Sequence, residues 1–245
     1  MRQTLSIKLD HSQGVTPNSF LDGTKSGIEM TAVCNATGLE QQEDGLAFPP
    51  ASRFELAEVC KPTADGGTLA RTGTTEVVSA LYRDGSDVPH NLVMGTFVVI
   101  RGDTDYARRC FAEYHMLADS SSEYAALYRT THMIGMELGL SVTSVMLRGE
   151  PTGAPTCFNS DVVAVAKRDL KAGEILDGEG GFTVWDKAWP AAKSIAHGAL
   201  PLGLAHNVKL TADVKQGSVV RWSDVEVIDN QAVSLRRELE GMVGG

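Results

Sequence analysis

DLKAGEIL, residues 169–176, returns further along the chain as DVKQGSVV, residues 213–220. Each copy runs Asp, an aliphatic residue, Lys, one variable position and Gly, and each is preceded by a short apolar run, Val162–Ala166 or Val208–Leu210. The physical reading is a strand, then a turn whose glycine (Gly173, Gly217) takes positive φ, then a second strand. Two copies predict a small, looped, all-β module with internal pseudo-symmetry; chance likeness between common turn sequences is the competing reading. EPTGAPT (Glu150–Thr156) is a turn-rich boundary before it. The module is expected over residues 157–234, and LRRELEGMVGG (235–245) reads as a short helix that frays.

Upstream the grammar changes. Residues 1–16 have no clear period and read as an irregular leader. Asn18 or Ser19 can cap a helix running to Thr37, with Gly38 closing it. After DGLAFPPAS come two β-rich runs, 76–82 and 92–101, with Asp84-Gly85 between them as a hairpin signal. Helices are expected over 104–115, capped by Asp103 or Thr104, and over 130–147, stopped by Gly149 and Pro151. The second carries the stripe Ile134, Leu138, Val142, Val145, expected to face a core, with Gly135 and Gly139 beside it. Residues 17–150 thus read as an α+β domain, a mostly antiparallel sheet covered by helices.

The 245 residues carry 22 basic and 31 acidic side chains, a net charge of −9. No Lys/Arg-rich run stands out, which argues against nucleic acid or an anionic membrane as partner. MRQTLSIKLDHSQ at the start lacks the apolar core of a signal peptide, and no apolar run reaches bilayer length. Cys34, Cys60, Cys110 and Cys157 form no C-x-x-C pair. Together these features predict a cytoplasmic protein with reduced thiols.

Three stretches hold candidate chemistry. In NSFLDGTKSGIEM (18–30), helical spacing puts Leu21, Lys25, Ile28, Ala32 and Ala36 on one face, with Asp22 and Glu29 beside Lys25. A lysine there either snorkels and pairs with an acid, or points its ammonium at a polarised oxygen where charge develops. In YRTTHMIGMELG (128–139), His132 stands between Arg129 and Glu137, as a packing or capping residue or as a polar contact. Arg108 and Arg109 in RRCFAEYH can bind phosphate or remain solvated, and Cys110 has no base to activate it. No G-x-G-x-x-G, G-x-x-x-x-G-K-[ST], G-x-S-x-G or H-E-x-x-H pattern is present, and GEGG (178–181) is a weak phosphate-loop candidate. The spacing assigns no metal.

Read in order, SFLDGTKSGIEMTAVCNATGL, DGLAFPP, ADGG, RRCFAEY, YRTTHMIGMELGLSV, RGEPTGAPT, VVAVAKRDLKAGEILDGEGG, LPLGLAHNVKL and VRWSDVEV resemble one family. It is the homoserine-dehydrogenase-like NAD(P)-dependent oxidoreductases with a C-terminal SAF domain. One branch is 1-deoxy-D-xylulose 5-phosphate reductoisomerase-like and serves isoprenoid precursor synthesis. The resemblance spans residue 17 to the end. Its members begin with a Rossmann domain, which this sequence does not show, so it implies a substrate-binding and SAF portion, inactive alone. NADH or NADPH is then held by a separate Rossmann domain, with no cofactor-binding residue in this chain. It also implies Lys25 and Asp22 as catalytic residues acting on a small hydroxylated carbonyl substrate; Glu29, His132 and Arg129, beside them or in the second candidate stretch, are the expected substrate-binding residues. A homodimer is expected. The alternative is an SAF-type module that binds a sugar acid or a protein without catalysis.

Overall fold

A computed structural model describes residues 22–133, 135–226 and 229–243. The expected leader and the caps Asn18 and Ser19 lie outside them. The described residues form two units, one from the chain up to Leu46 together with Pro155 onward, the other Ala47–Ala154. The helix that sequence reading assigned to a 17–150 domain therefore belongs with the β module.

In that first unit, α1 (Thr24–Thr37) starts after Gly23 at φ 87° and ends at Gly38, whose N–H donates to Cys34 O. It packs on two long antiparallel strands, β4 (Ser160–Ala166) and β6 (Val184–Pro190), paired from Ser160↔Pro190 to Ala166↔Val184. The face it buries is not the expected apolar one: Thr24, Gly27 and Cys34 are buried, whereas Ile28 and Ala32 are exposed. Short side chains let the helix lie close to the sheet. Thr31 Oγ1 and Ser160 Oγ lie 2.8 Å apart, and Asn35 Nδ2 donates to Ser160 O at 3.0 Å.

β5 (Ile175–Asp177) and β7 (His206–Lys209) form a second ribbon, and α5 (Ala191–His197) follows β6 directly. The core is Val and Leu from both halves of the module, including Leu170, Leu176, Leu200, Leu210, Val214 and Val220. The repeated octapeptides meet across it. Leu170 and Val214, equivalent positions, bridge antiparallel. Asp213 accepts from the Ala172 N–H at 3.0 Å and pairs with Lys171 Nζ at 2.7 Å. Asp169 does the same with the Gln216 N–H at 2.9 Å and Lys215 at 2.8 Å. Gly173 and Gly217 take φ 90° and 76° in their turns. The pseudo-symmetry is thus a reciprocal clasp.

The C-terminal segment differs from the expected fraying tail. α6 (Gln231–Val243) is anchored by Arg236, which forks onto buried Asp161 with bonds of 3.0 and 2.7 Å and also reaches Glu240. Arg237 stacks over the Trp222 ring, 3.8 Å from its centroid.

The second unit is α+β. β1 (Thr96–Arg101), β2 (Leu117–Ala118) and β3 (Tyr124–Arg129) make an antiparallel sheet in the order β1-β3-β2. Phe97, Val99, Tyr124 and Ala126 turn inward against α2 (Leu56–Val59). α3 (Asp105–Glu113) lies where expected, its first turn capped by Thr104 Oγ1, which accepts from the Ala107 N–H. Residues 76–82 do not pair with 92–101 as a hairpin; β1 pairs with β3. The turn at Asp84-Gly85 does form, but residues 76–82 make only isolated bridges. The covering helices are also fewer than expected. The long helix is shorter, α4 (Leu138–Arg148), with a turn at residues 135–137 before it in which Gly135 takes φ 84°; Ile134 of the expected stripe lies outside the described residues. Only Ser144 of α4 is buried; Leu138, Val142 and Val145, expected in a core, are exposed.

Candidate functional site

The candidate residues divide between the two units. In the first, Asp22 Oδ1 accepts from the Thr24 N–H at 2.9 Å, fixing the start of α1. Its other oxygen lies 2.7 Å from Lys167 Nζ, a partly exposed ion pair. Lys167 also donates to Gly181 O at 2.5 Å, within the GEGG segment. Lys25 pairs with Glu29 at 2.8 Å along the helix, the i,i+4 arrangement that the snorkelling reading anticipates. Its side chain keeps 29% of its surface, so the ammonium stays reachable.

Beneath this group sits a residue that the sequence reading missed. Asp186, on β6, is buried against Gly27 of α1; a Cβ built on Gly27 would lie 2.1 Å from Asp186 Oδ2. Burial, then the charges of Asp22 and Glu179, push its carboxyl up to about 8. Asp186 Oδ2 and Thr24 Oγ1 have no hydrogen-bond partner among the described residues. The acid is therefore mostly protonated near neutral pH, packed under a helix that Asp22 immediately precedes. Only the glycine at 27 hinted at a close approach, and nothing in its local sequence names the neighbour.

In the second unit, Glu137 gathers the other two candidates. His132 Nδ1 lies 2.7 Å from Glu137 Oε2, and Arg129 Nη2 lies 2.7 Å from Oε1. These bonds, His132 first, hold the Glu137 carboxyl below the usual range. His132 is in the turns before α4, not at a helix start; its N–H donates to Met94 O. A more deeply buried polar group went unnoticed. Lys61 Nζ lies 2.9 Å from both Glu58 Oε1 and Asp119 Oδ2, and the Asp119 side chain is fully enclosed. Burial raises Asp119, but bonds from Lys61, Ser121 and the Tyr124 N–H outweigh it and hold it at about 2. Tyr124 Oη donates to Asp65 Oδ2 at 2.6 Å. Every charge in this cluster has a partner, which marks it as structural support. Burial and the charge of Glu76 push the neighbouring Cys60 thiol up to about 12, so it is no nucleophile.

A nicotinamide dinucleotide needs a glycine turn from strand to helix and open N–H groups for its phosphates. Three strand-to-helix joins occur among the described residues, and none fits. Between β1 and α3, Thr104 and Asp105 occupy the helix start, and a Cβ at Gly102 would lie 3.0 Å from the Phe111 ring. Between β3 and α4 eight residues intervene rather than a tight turn, and β6 runs into α5 through Pro190. No group of three or more His, Cys, Asp or Glu residues suited to a metal occurs among the described residues. No helix among them is long and apolar enough to cross a membrane.

The described residues thus form an antiparallel α+β unit and a two-fold β module, the second with lysines and acids paired at the start of α1. The family model "Oxidoreductase DRL, catalytic domain" matches residues 8–138, and the SAF domain matches residues 161–226. The first match takes in more than half of the chain, and the chain belongs to the oxidoreductase DRL family. No curated protein matches it.

Proposed function

We propose that this chain is the substrate-binding and SAF portion of an NAD(P)-dependent oxidoreductase of the homoserine-dehydrogenase-like, 1-deoxy-D-xylulose 5-phosphate reductoisomerase-like kind. Its substrate is a small hydroxylated carbonyl compound. The reductant, NADPH or NADH, is held by a dinucleotide-binding domain outside the residues described. The observation that supports this most is the start of α1. There a partly open Asp22–Lys167 pair stands within one helical turn of the reachable ammonium of Lys25.

In this reading Lys25 holds or polarises the substrate oxygen as charge develops on it, releasing Glu29 to the substrate's hydroxyl side. Asp22 and Lys167 keep the helix start fixed and supply a proton-accepting and a proton-donating atom side by side. Within the second unit, Glu137 orients Arg129 and His132 by itself. Two copies of the chain form a homodimer.

The test pairs rate with stability. With a dinucleotide-binding domain of the family supplied, Lys25→Ala is expected to lower kcat by roughly 100-fold, while Tm moves by only a few degrees. A rate that survives with Tm lowered means that Lys25 is a packing residue, and the proposal fails. Saturable NADPH binding by this chain alone, followed by fluorescence, also overturns it.

A further inference from the structure

Arg53 lies in the turn before α2, partly exposed, with its Nε enclosed and bonded to nothing among the described residues. Its guanidinium enters no ion pair with them. Lys25, Lys61, Arg108, Lys167, Lys193 and Arg236 are likewise withdrawn from solvent, and each holds a carboxylate. A charge taken out of water without a partner destabilises a fold, so Arg53 asks for an anion from outside the chain.

Two neighbours hold the guanidinium in place. It lies over the Phe54 ring, 5.0 Å from the centroid. His90, at φ 54°, accepts the Arg53 N–H on its carbonyl at 2.9 Å and sets its ring edge-on to Phe54, 5.4 Å between centroids. Phe54 keeps 48% of its surface, so an apolar body can rest on it. Acids on the adjoining segments are turned elsewhere. Glu55 accepts from the Ser52 N–H, Glu76 from those of Ala47 and Phe48, and Asp84 from that of Ser86.

We infer that Arg53 and Phe54, held by His90, form a binding site for a small carboxylate with a planar apolar body. The guanidinium fork matches a carboxylate in shape and balances its single charge. Phosphate fits less well, because it is commonly cradled by a run of free backbone N–H groups. Here the N–H groups of Ala47, Phe48, Ala51, Ser52 and Arg53 are all bonded within the chain, and Pro49 and Pro50 have none. The site stands on the second unit alone and is independent of the reaction proposed above, so its test reads binding and not turnover.

Benzoate titrated into the full chain, followed by ligand-observed NMR, is expected to bind saturably with a Kd on the order of 1 mM. Benzamide, of the same shape without the charge, should not bind, and inorganic phosphate should bind at least about tenfold more weakly. Arg53→Lys keeps the charge but not the fork and should weaken benzoate about tenfold. Arg53→Met should abolish its binding while Tm holds or rises, because a half-buried charge without a partner is removed. A chain that takes up no benzoate overturns the inference, as does phosphate binding as tightly. Benzoate affinity that survives both substitutions at Arg53, with Tm lowered, assigns the residue to packing and overturns it too.

Discussion

Asp186 is buried with its Oδ2 unbonded among the described residues, and its folded-state pKa of about 8 stands above the ordinary 3.8. Between those values the folded chain keeps a proton that the unfolded chain gives up. Stability therefore falls as pH rises from about 4 to about 8, and is flat above that. Asp186→Asn is expected to remove this slope and to gain on the order of 3 kcal/mol near pH 8, read from urea midpoints across pH. Asp119 has the opposite sign: held at about 2, it contributes stability above pH 4 that is lost as pH falls through 2. Lys61→Met removes its buried partner and should cost roughly 3 kcal/mol at pH 7, because the charge of Asp119 is left enclosed. Gly27→Ala makes the point for packing. Alanine is worth about 1 kcal/mol more than glycine inside a helix. Here it drives a methyl into Asp186, so a net loss of about 1–3 kcal/mol is expected. The double variant Gly27→Ala/Asp186→Ala should recover that loss, and additive losses in a thermal melt would show that the two residues do not meet.

Among the elements, those with local signatures were legible. Thr104 before α3, Gly38 after α1, and the two glycine turns of the repeat all name their own geometry. What misled was the assumption that apolar periodicity points inward. α1 buries threonine, glycine and cysteine, and α4 shows its apolar stripe to solvent. β3 was hidden because Ala125 and Ala126 carry little β signal, and it is held by pairing with β1 on one side and β2 on the other. The C-terminal helix was misread for a related reason. Its anchor, Arg236 on Asp161, joins residues 75 apart in sequence. Arg236→Met strands a buried carboxylate, so α6 should lose amide-exchange protection together with about 3 kcal/mol of stability. Retained protection in α6 would assign the anchoring to Arg237 and Trp222.

For the whole molecule, two units with separate cores predict two calorimetric transitions rather than one. Asp161→Ala, which lies in the first, should lower only the transition of that unit. The candidate site was half legible at this scale. Asp22, Lys25 and Glu29 were named from one helical stretch, whereas Lys167, just after β4, and Asp186, on β6, are brought to it only by folding. The reciprocal clasp between Asp169 and Asp213 has a further consequence. Each half offers the acid that the other needs and takes the base that the other supplies. Neither loop can finish closing before its distant twin arrives, which binds early and late chain into one cooperative event. The same symmetry means that one half holds all the chemistry required to mate with a duplicate of itself.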